Sequence, residues 1–273
     1  MACFAGLDFA KGLDLVLHTP GGDVAATESI IDYIRSKFGS NVRAIVPQIS
    51  MSGGTMMAIS AREILMGRHS NLGPIDPQLG GRPAISLLQE FEKARNDIIA
   101  NPQLALLWQP ILQHYGPTIL SFAEQSIAWA REIAGRSMRE GMFHGDPEAD
   151  AKTAHIMEFL LSQDLHKAHG RHLHRGELKA AGLPIMDLED NPDLQDAVLS
   201  VHHACMLTVG NHGAVKLIEN HNGIAHAKIV GMPVEMPFPI QFAQPAAPMP
   251  EVAGIMMVDT TPPNNEEIAA APA

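Results

Sequence analysis

The strongest constraint on the fold of this chain is a repeated pattern of short apolar runs, small-residue turns and helical segments between residues 13 and 83. The run LDLVLHT ends at Pro20-Gly21-Gly22, VRAIVPQIS leads into SMSGGTMMAISA, and REILMG forms a third run. From Asp23 to Phe38, apolar residues recur at helical spacing. This alternation predicts parallel strands joined by right-handed crossover helices, which is an α/β fold.

The two glycine turns of this pattern should meet at one edge of the sheet, because functional turns of open α/β sheets lie at the carboxyl ends of the strands. Ser52 stands at a strand-to-helix junction, where a sharp turn suits a nucleophile. A serine hydrolase also needs backbone N–H groups aimed at the developing oxyanion. We predict Gly53, together with Gly21 or Gly22, for that role. Helix capping is the alternative role of Ser52.

The remainder of the chain is predicted to be mostly helical from residue 100 to residue 231, so that residues 1–231 form one domain. Helical patterns cover 84–139 with breaks near 101–102 and 116–117, then 147–165, 177–181, 191–211 and 214–219, with a strand near 183–186. Beyond residue 231, repeated Pro, Ala and Met predict a poorly ordered tail over 232–273.

Charge and cysteine content restrict the partners and the compartment. A formal net charge of -11 without a cluster of Lys and Arg argues against nucleic-acid binding. Cys3 and Cys205 are too few for a disulfide framework, which favours a reducing compartment. No basic leader with an apolar core is apparent, and no apolar run is long enough to span a bilayer. We therefore expect a cytoplasmic protein without a membrane span.

Four motifs in a fixed order carry a family resemblance: HTPGG, SMSGGTMMAISA, REILMG and NLGPIDPQLG. They resemble the serine dehydrogenase proteinase family, relatives of signal peptide peptidase A and of the Clp protease subunit. A second segment, HGRHLHRGELKAAGLPI, is similar to the helix and final strand that follow the catalytic region of signal peptide peptidases. Because relatives carry strands before the first motif, we expect N-terminal strands of the family fold to be missing from this chain.

The resemblance implies a Clp/crotonase-like spiral of mainly parallel strands with crossover helices and a helical C-terminal half. It also implies hydrolysis of peptide bonds through an acyl-enzyme at Ser52, with the oxyanion amides on Gly53 and on Gly21-Gly22. The implied substrate is a peptide or unfolded protein, and the implied assembly is a homo-oligomer. No cofactor follows from it.

The general base is less directly indicated than the nucleophile. Clp subunits place a histidine after the third strand, where this chain has Ile75 and Asp76. Signal peptide peptidases use a lysine, and the resemblance puts Lys93 at that place. A lysine base requires its pKa to fall by roughly three units, yet on a helical wheel Lys93 points away from the apolar stripe. Asp76 is predicted to orient a partner or brace its turn, and His18 to contact substrate or end its strand.

Histidines are frequent in the second half, and H-x-x-H-x-x-H-x-H spans His166 to His174. This segment crosses a predicted loop containing Gly170, so we predict no metal site. Two further functions stay open besides a serine peptidase. One is a non-catalytic scaffold on the same fold, and the other is a crotonase-type acyl-CoA enzyme that would polarise a thioester with the glycine turns.

Overall fold

The computed structural model describes residues 2–229 and 254–259, which form β-sheets surrounded by helices. The strands are β1 Leu13–His18, β2 Val42–Val46, β3 Ile49–Ser50, β4 Glu63–Met66, β5 Asn71–Leu72, β6 Gln78–Leu79, β7 Arg82–Pro83, β8 Leu173–His174, β9 Ile185–Asp187, β10 Ala214–Asn220, β11 Ala225–Ile229 and β12 Gly254–Asp259. The α-helices are α1 Val24–Phe38, α2 Gly53–Ile59, α3 Ala84–Ala100, α4 Ala105–Leu112, α5 Ile119–Glu140, α6 Ala149–Leu161, α7 Gln163–His166, α8 Arg175–Ala180 and α9 Pro192–His212. Short 3-10 helices lie at Ala2–Phe4, Phe9–Lys11, Pro102–Leu104 and Leu188–Asp190.

The large sheet has seven strands in the order β11-β10-β12-β1-β2-β4-β9. The neighbours from β12 to β9 are parallel, and β10 pairs antiparallel with both β12 and β11. Each of the two parallel steps β1–β2 and β2–β4 needs a crossover, which α1 and α2 supply. The α/β fold predicted from the sequence is therefore confirmed.

Apolar side chains cover both faces of the central strands, since helices pack on each side. Residues 13, 15 and 17 of β1 point into the main core with α1, α2 and α5, where Ile31, Met56 and Ile133 are buried. Val16 points to the opposite face, into a cluster with Val198 and Cys205 of α9. Successive side chains of β1 point to opposite faces, and both faces are buried. The strand is therefore an almost unbroken apolar run.

A small second sheet, in the order β3-β5-β8, positions the residues of interest at its end. β3 and β5 are parallel, with Ser50 opposite Leu72, and β5 and β8 are antiparallel, with Leu72 opposite Leu173. The bridge between Thr19 and Ser50 continues β1 into this sheet. The turns after β1, β3 and β5 consequently leave from one edge.

Most predicted helices and strands of the second half are present, but the helix predicted over Ala214–Glu219 is wrong. These residues form β10, which joins β11 through a turn at His221-Asn222-Gly223. β10 has a hydrogen-bonded strand on each side. This pairing outweighs the local helix propensity of the segment.

The predicted tail over 232–273 lies mostly outside the described residues. Its described part, Gly254–Asp259, differs from the prediction of disorder, because the apolar segment GIMMV pairs as β12 between β1 and β10. Among the described residues, no helix combines the length and apolar character needed to cross a membrane. Cys3 and Cys205 are buried free thiols.

Candidate active site

Ser52 lies in a strained turn between β3 and α2. Its backbone has φ 50° and ψ -113°, in the left-handed half of conformational space that residues with a Cβ rarely adopt. Such strain costs roughly 1–3 kcal/mol and collects at functional sites. The Ser52 side chain makes no capping hydrogen bond to α2, so the capping role considered from the sequence is absent here. Ser52 is half-buried, and its hydroxyl makes no hydrogen bond to the residues that the structure describes.

The glycine turn after β1 packs directly against Ser52. A Cβ added to Gly21, where φ is 117°, would lie 2.8 Å from the Cβ of Ser52. A Cβ on Gly53 would lie 2.6 Å from Thr27 Oγ1 and 3.5 Å from the amide nitrogen of Gly22. Only glycine fits these contacts, and the two turns that the sequence placed at one edge are in contact.

The backbone amides of the three candidate oxyanion donors differ in availability. The Gly21 N–H donates to Thr19 Oγ1 at 3.1 Å and is therefore engaged. Within the described part of the chain, the N–H groups of Gly22 and Gly53 have no hydrogen-bond acceptor. Two unengaged amides beside a serine hydroxyl are the donors that an oxyanion needs. The geometry favours Gly22 over Gly21 as the partner of Gly53.

Thr55 fixes the turn of Ser52 to the loop that follows β5. Its buried hydroxyl lies 2.8 Å from the carbonyl oxygen of Ser50 and 2.9 Å from that of Gly73, and accepts from the Gly73 N–H at 3.0 Å. A Cβ on Gly73 would lie 2.6 Å from Cε of Met51. The loop that carries Asp76 therefore starts in contact with the residue before Ser52.

Asp76 is buried and holds a histidine that the sequence did not assign to the site. Its Oδ1 lies 2.8 Å from Nδ1 of His169, and its Oδ2 accepts from Nε2 of Gln78 at 2.9 Å. His169 belongs to the histidine-rich segment His166 to His174, for which the sequence predicted no metal site. The segment resembling signal peptide peptidases, HGRHLHRGELKAAGLPI, begins at this histidine, which is the signal that could have identified it.

Lys93 lies apart from these groups, on an exposed position of α3. Its Nζ sits 6.0 Å from the ring centroid of Trp108, in a cation–π contact. The buried residues of α3 are Ala84, Leu87 and Ala94, and Lys93 is not among them. No hydrogen bond of the described residues joins Lys93 to Ser52.

His18 ends β1 and faces α9. Its Nδ1 lies 3.0 Å from Nε2 of His202, and both rings are buried. Burial lowers the pKa of His18. Burial first, and then the nearby His18, His203 and His69, lower the pKa of His202 to about 4. The pair is thus neutral at pH 7, and His202, which sequence reasoning missed, is the contact observed for His18.

A strained serine between two glycine turns of an α/β fold is the arrangement that a serine nucleophile with backbone oxyanion donors requires. Residues 8–108 match the family model described as ClpP-like SDH-type serine proteinase. This match supports the family resemblance predicted from the motifs.

Two curated proteins of Methanocaldococcus jannaschii are similar to this chain, and both are named as uncharacterized. Protein MJ0137 is 42% identical over 87 residues, which cover 32% of this chain and 30% of the relative. Protein MJ1495 is 39% identical over 79 residues, which cover 29% of this chain and 27% of the relative. The matches thus span about three-tenths of the length of each relative. No solved structure matches this chain.

Proposed function

We propose that this chain is a serine endopeptidase-like hydrolase that cleaves peptide bonds through an acyl-enzyme at Ser52. The observation that carries the proposal is the contact between two turns. Ser52 is held in a left-handed backbone conformation against Gly21, and the amides of Gly22 and Gly53 have no acceptor among the described residues. The match of residues 8–108 to a serine proteinase family supports the same activity.

In this mechanism Ser52 Oγ attacks the carbonyl carbon of the scissile peptide bond. The carbonyl oxygen becomes an oxyanion that accepts hydrogen bonds from the N–H groups of Gly22 and Gly53. Removing one such donor typically lowers kcat by roughly 10²–10³-fold, because the donors are fixed before the charge develops. The strained backbone of Ser52 contributes by holding Oγ at the apex of its turn.

The substrate proposed is a peptide or an unfolded protein segment, and the assembly proposed is a homo-oligomer in the cytoplasm. The buried free thiols Cys3 and Cys205 agree with a reducing compartment. The neighbouring residues Leu106 and Leu107 of α4 are exposed, at 77% and 65%, which agrees with burial between subunits. The spiral arrangement of the family fold stays a prediction.

A serine-reactive fluorophosphonate probe tests the assignment of Ser52. We expect the probe to label the wild-type protein and the Ser60→Ala variant, which changes a serine at the other end of α2. Ser52→Ala should not be labelled. Equal labelling of Ser52→Ala and wild type would contradict the assignment of Ser52, and no labelling of the wild type would favour the non-catalytic alternative.

A further inference from the structure

The pair formed by Asp76 and His169 has no role in the function described so far. The side chain of Asp76 is 6% exposed and that of His169 is 28% exposed, with 2.8 Å between Oδ1 and Nδ1. A buried carboxylate facing a half-buried imidazole is costly unless the two groups are hydrogen-bonded. The pair therefore presents a carboxylate on its inner side and an imidazole ring that reaches the surface.

Asp76 determines which nitrogen of His169 is free. Because the Asp76 carboxylate accepts, Nδ1 of His169 carries the proton and donates to it. The Nε2 atom then has a lone pair, and it makes no hydrogen bond to the described residues. Gln78 donates to the other carboxylate oxygen, and the Ile75 N–H donates to the carbonyl of Leu160 at 3.3 Å. Gln78 therefore holds the carboxylate and the Ile75 amide anchors the backbone beside it, as the orienting member of a catalytic pair requires.

The register of the small sheet places the pair at the edge where Ser52 lies. Ser50 is opposite Leu72 across the parallel pair, and Leu72 is opposite Leu173 across the antiparallel pair. The chain leaves β3 toward Ser52 at the same edge at which it leaves β5 toward Asp76. Because β8 runs in the opposite direction, the residues that precede it, His169 included, arrive at that edge.

We propose that His169, oriented by Asp76, is the general base that activates Ser52. The proposal rests on the proposed peptidase function, and it names as base a residue other than Lys93. Lys93 is exposed beside Trp108, and no hydrogen bond of the described residues joins it to Ser52. Asp76 acts as a positioning residue, since among the described side chains its carboxylate hydrogen-bonds to His169 and Gln78.

The proton transfers balance with water as the only co-reactant. As Ser52 Oγ bonds to the carbonyl carbon, its proton passes to Nε2 of His169 and the carbonyl electron pair moves onto the oxygen. The oxyanion then collapses, the carbon–nitrogen bond breaks, and the amine leaves with the proton from His169. Water attacks the resulting ester and gives a proton to Nε2. That proton returns to Ser52 Oγ as the carboxylic acid is released.

The rate constant for fluorophosphonate labelling tests this proposal. We expect His169→Gln to lower it by roughly 10²–10⁴-fold, the usual contribution of a general base. His172→Gln is the matched control, because His172 is an exposed histidine three residues away, and it should label at the wild-type rate. Lys93→Met should also label at the wild-type rate. Asp76→Asn should lower the rate in the same direction as His169→Gln.

Imidazole rescue separates a chemical role from a structural one. Adding imidazole to His169→Gly should restore part of the labelling rate, whereas it should leave Ser52→Ala unlabelled. Thermal unfolding midpoints of all variants show whether each is folded. If His169→Gly does not fold, Asp76→Asn and Lys93→Met decide the question.

The possible results distinguish the two proposals. If Ser52→Ala abolishes labelling while His169→Gln labels at the wild-type rate, the base assignment is overturned and the peptidase proposal stands. Loss of labelling in Lys93→Met with retention in His169→Gln would assign the base to Lys93. If the wild type is not labelled, both proposals fail.

Discussion

A single backbone angle separates Ser52 from most serines that begin a helix. In the described residues, Ser52, Thr118 and Lys167 are the non-glycine residues with positive φ. Of these, Ser52 alone lies between the two glycine turns. A Cβ added to Gly21 would lie 2.8 Å from the Cβ of Ser52. The surrounding packing therefore maintains the strain at Ser52.

Replacing Ser52 by glycine should release this strain. We expect Ser52→Gly to be more stable than Ser52→Ala by about 1 kcal/mol, because glycine adopts positive φ without penalty while alanine keeps the strain. Both variants lack the hydroxyl, so both should be unreactive toward the phosphonate probe. Urea unfolding of the two variants measures the difference. Equal midpoints would indicate an unstrained turn.

Some residues of the candidate site could be predicted from the sequence, and others could not. Ser52, Gly21 and Gly53 were predicted because a strand, a turn and a helix are local in sequence. His169 was not assigned to the site, because it contacts Asp76 across a separation of 93 positions that no local pattern reveals. The contact of His202 with His18 was not predicted for the same reason, since it spans 184 positions.

At the scale of elements, α2 is held so closely that its glycines cannot be enlarged. A Cβ on Gly54 would lie 2.4 Å from Cγ2 of Thr19 and 2.5 Å from Oγ of Ser50. The helix therefore packs against the ends of β1 and β3 without room for a methyl group. This contact sets the position of Ser52, which comes two residues earlier.

We expect Gly54→Ala to destabilise the fold by roughly 1–3 kcal/mol, the usual cost of overpacking a well-filled site. Gly22→Ala is the matched control, since an added Cβ at Gly22 meets no atom within 4 Å. Thermal unfolding should show a lower midpoint for Gly54→Ala and a wild-type midpoint for Gly22→Ala. Equal midpoints for the two variants would contradict the close packing of α2.

Helices and strands that depend on local sequence were predicted, and strands that depend on pairing with distant segments were not. The alternation from β1 to β4 could be read from the sequence because each strand and helix shows its own periodicity. Ala214–Glu219 was wrongly predicted as a helix, because its strand conformation depends on pairing with β11 and β12. The strand Gly254–Asp259 was missed within a segment whose composition predicts disorder.

At the scale of the whole molecule, the histidine pair His18–His202 makes the junction of β1 with α9 sensitive to acid. In the folded state the pKa of His202 is about 4, below the ordinary value of 6.5. The unfolded chain therefore takes up a proton before the folded chain does as the pH falls. The contribution of His202 to stability is largest above pH 6.5 and decreases as the pH falls from about 6.5 to about 4.

We expect His202 to account for a loss of up to about 3 kcal/mol in the free energy of unfolding across this interval. Carboxylates also titrate in acid, so the measurement is a difference between two proteins. Urea unfolding of wild type and His202→Phe at pH 7 and pH 4.5 isolates the histidine. The variant should lose less stability on acidification. An identical loss in both would exclude His202 as the cause.

The pairing of β12 links a segment near the end of the sequence to the centre of the large sheet. β12 pairs over five residues with β1 and over five with β10. A chain that stops at residue 253 would leave β1 and β10 without this partner. We expect it to lose a few kcal/mol of stability, since about ten residue pairs of backbone contact disappear. Thermal unfolding of the shortened chain and of the full chain measures the difference, and equal midpoints would contradict the pairing of β12.

The turn of Ser52 and the loop of His169 come from different parts of the chain. The family match covers residues 8–108, so it includes Ser52 and Asp76 but not His169. If His169 is the base, this arrangement lets evolution switch catalysis off without altering the recognisable motif. A homologue that keeps SGGT but loses the histidine would then be a pseudoenzyme. Active members of the family would have to be recognised by both the serine and the histidine.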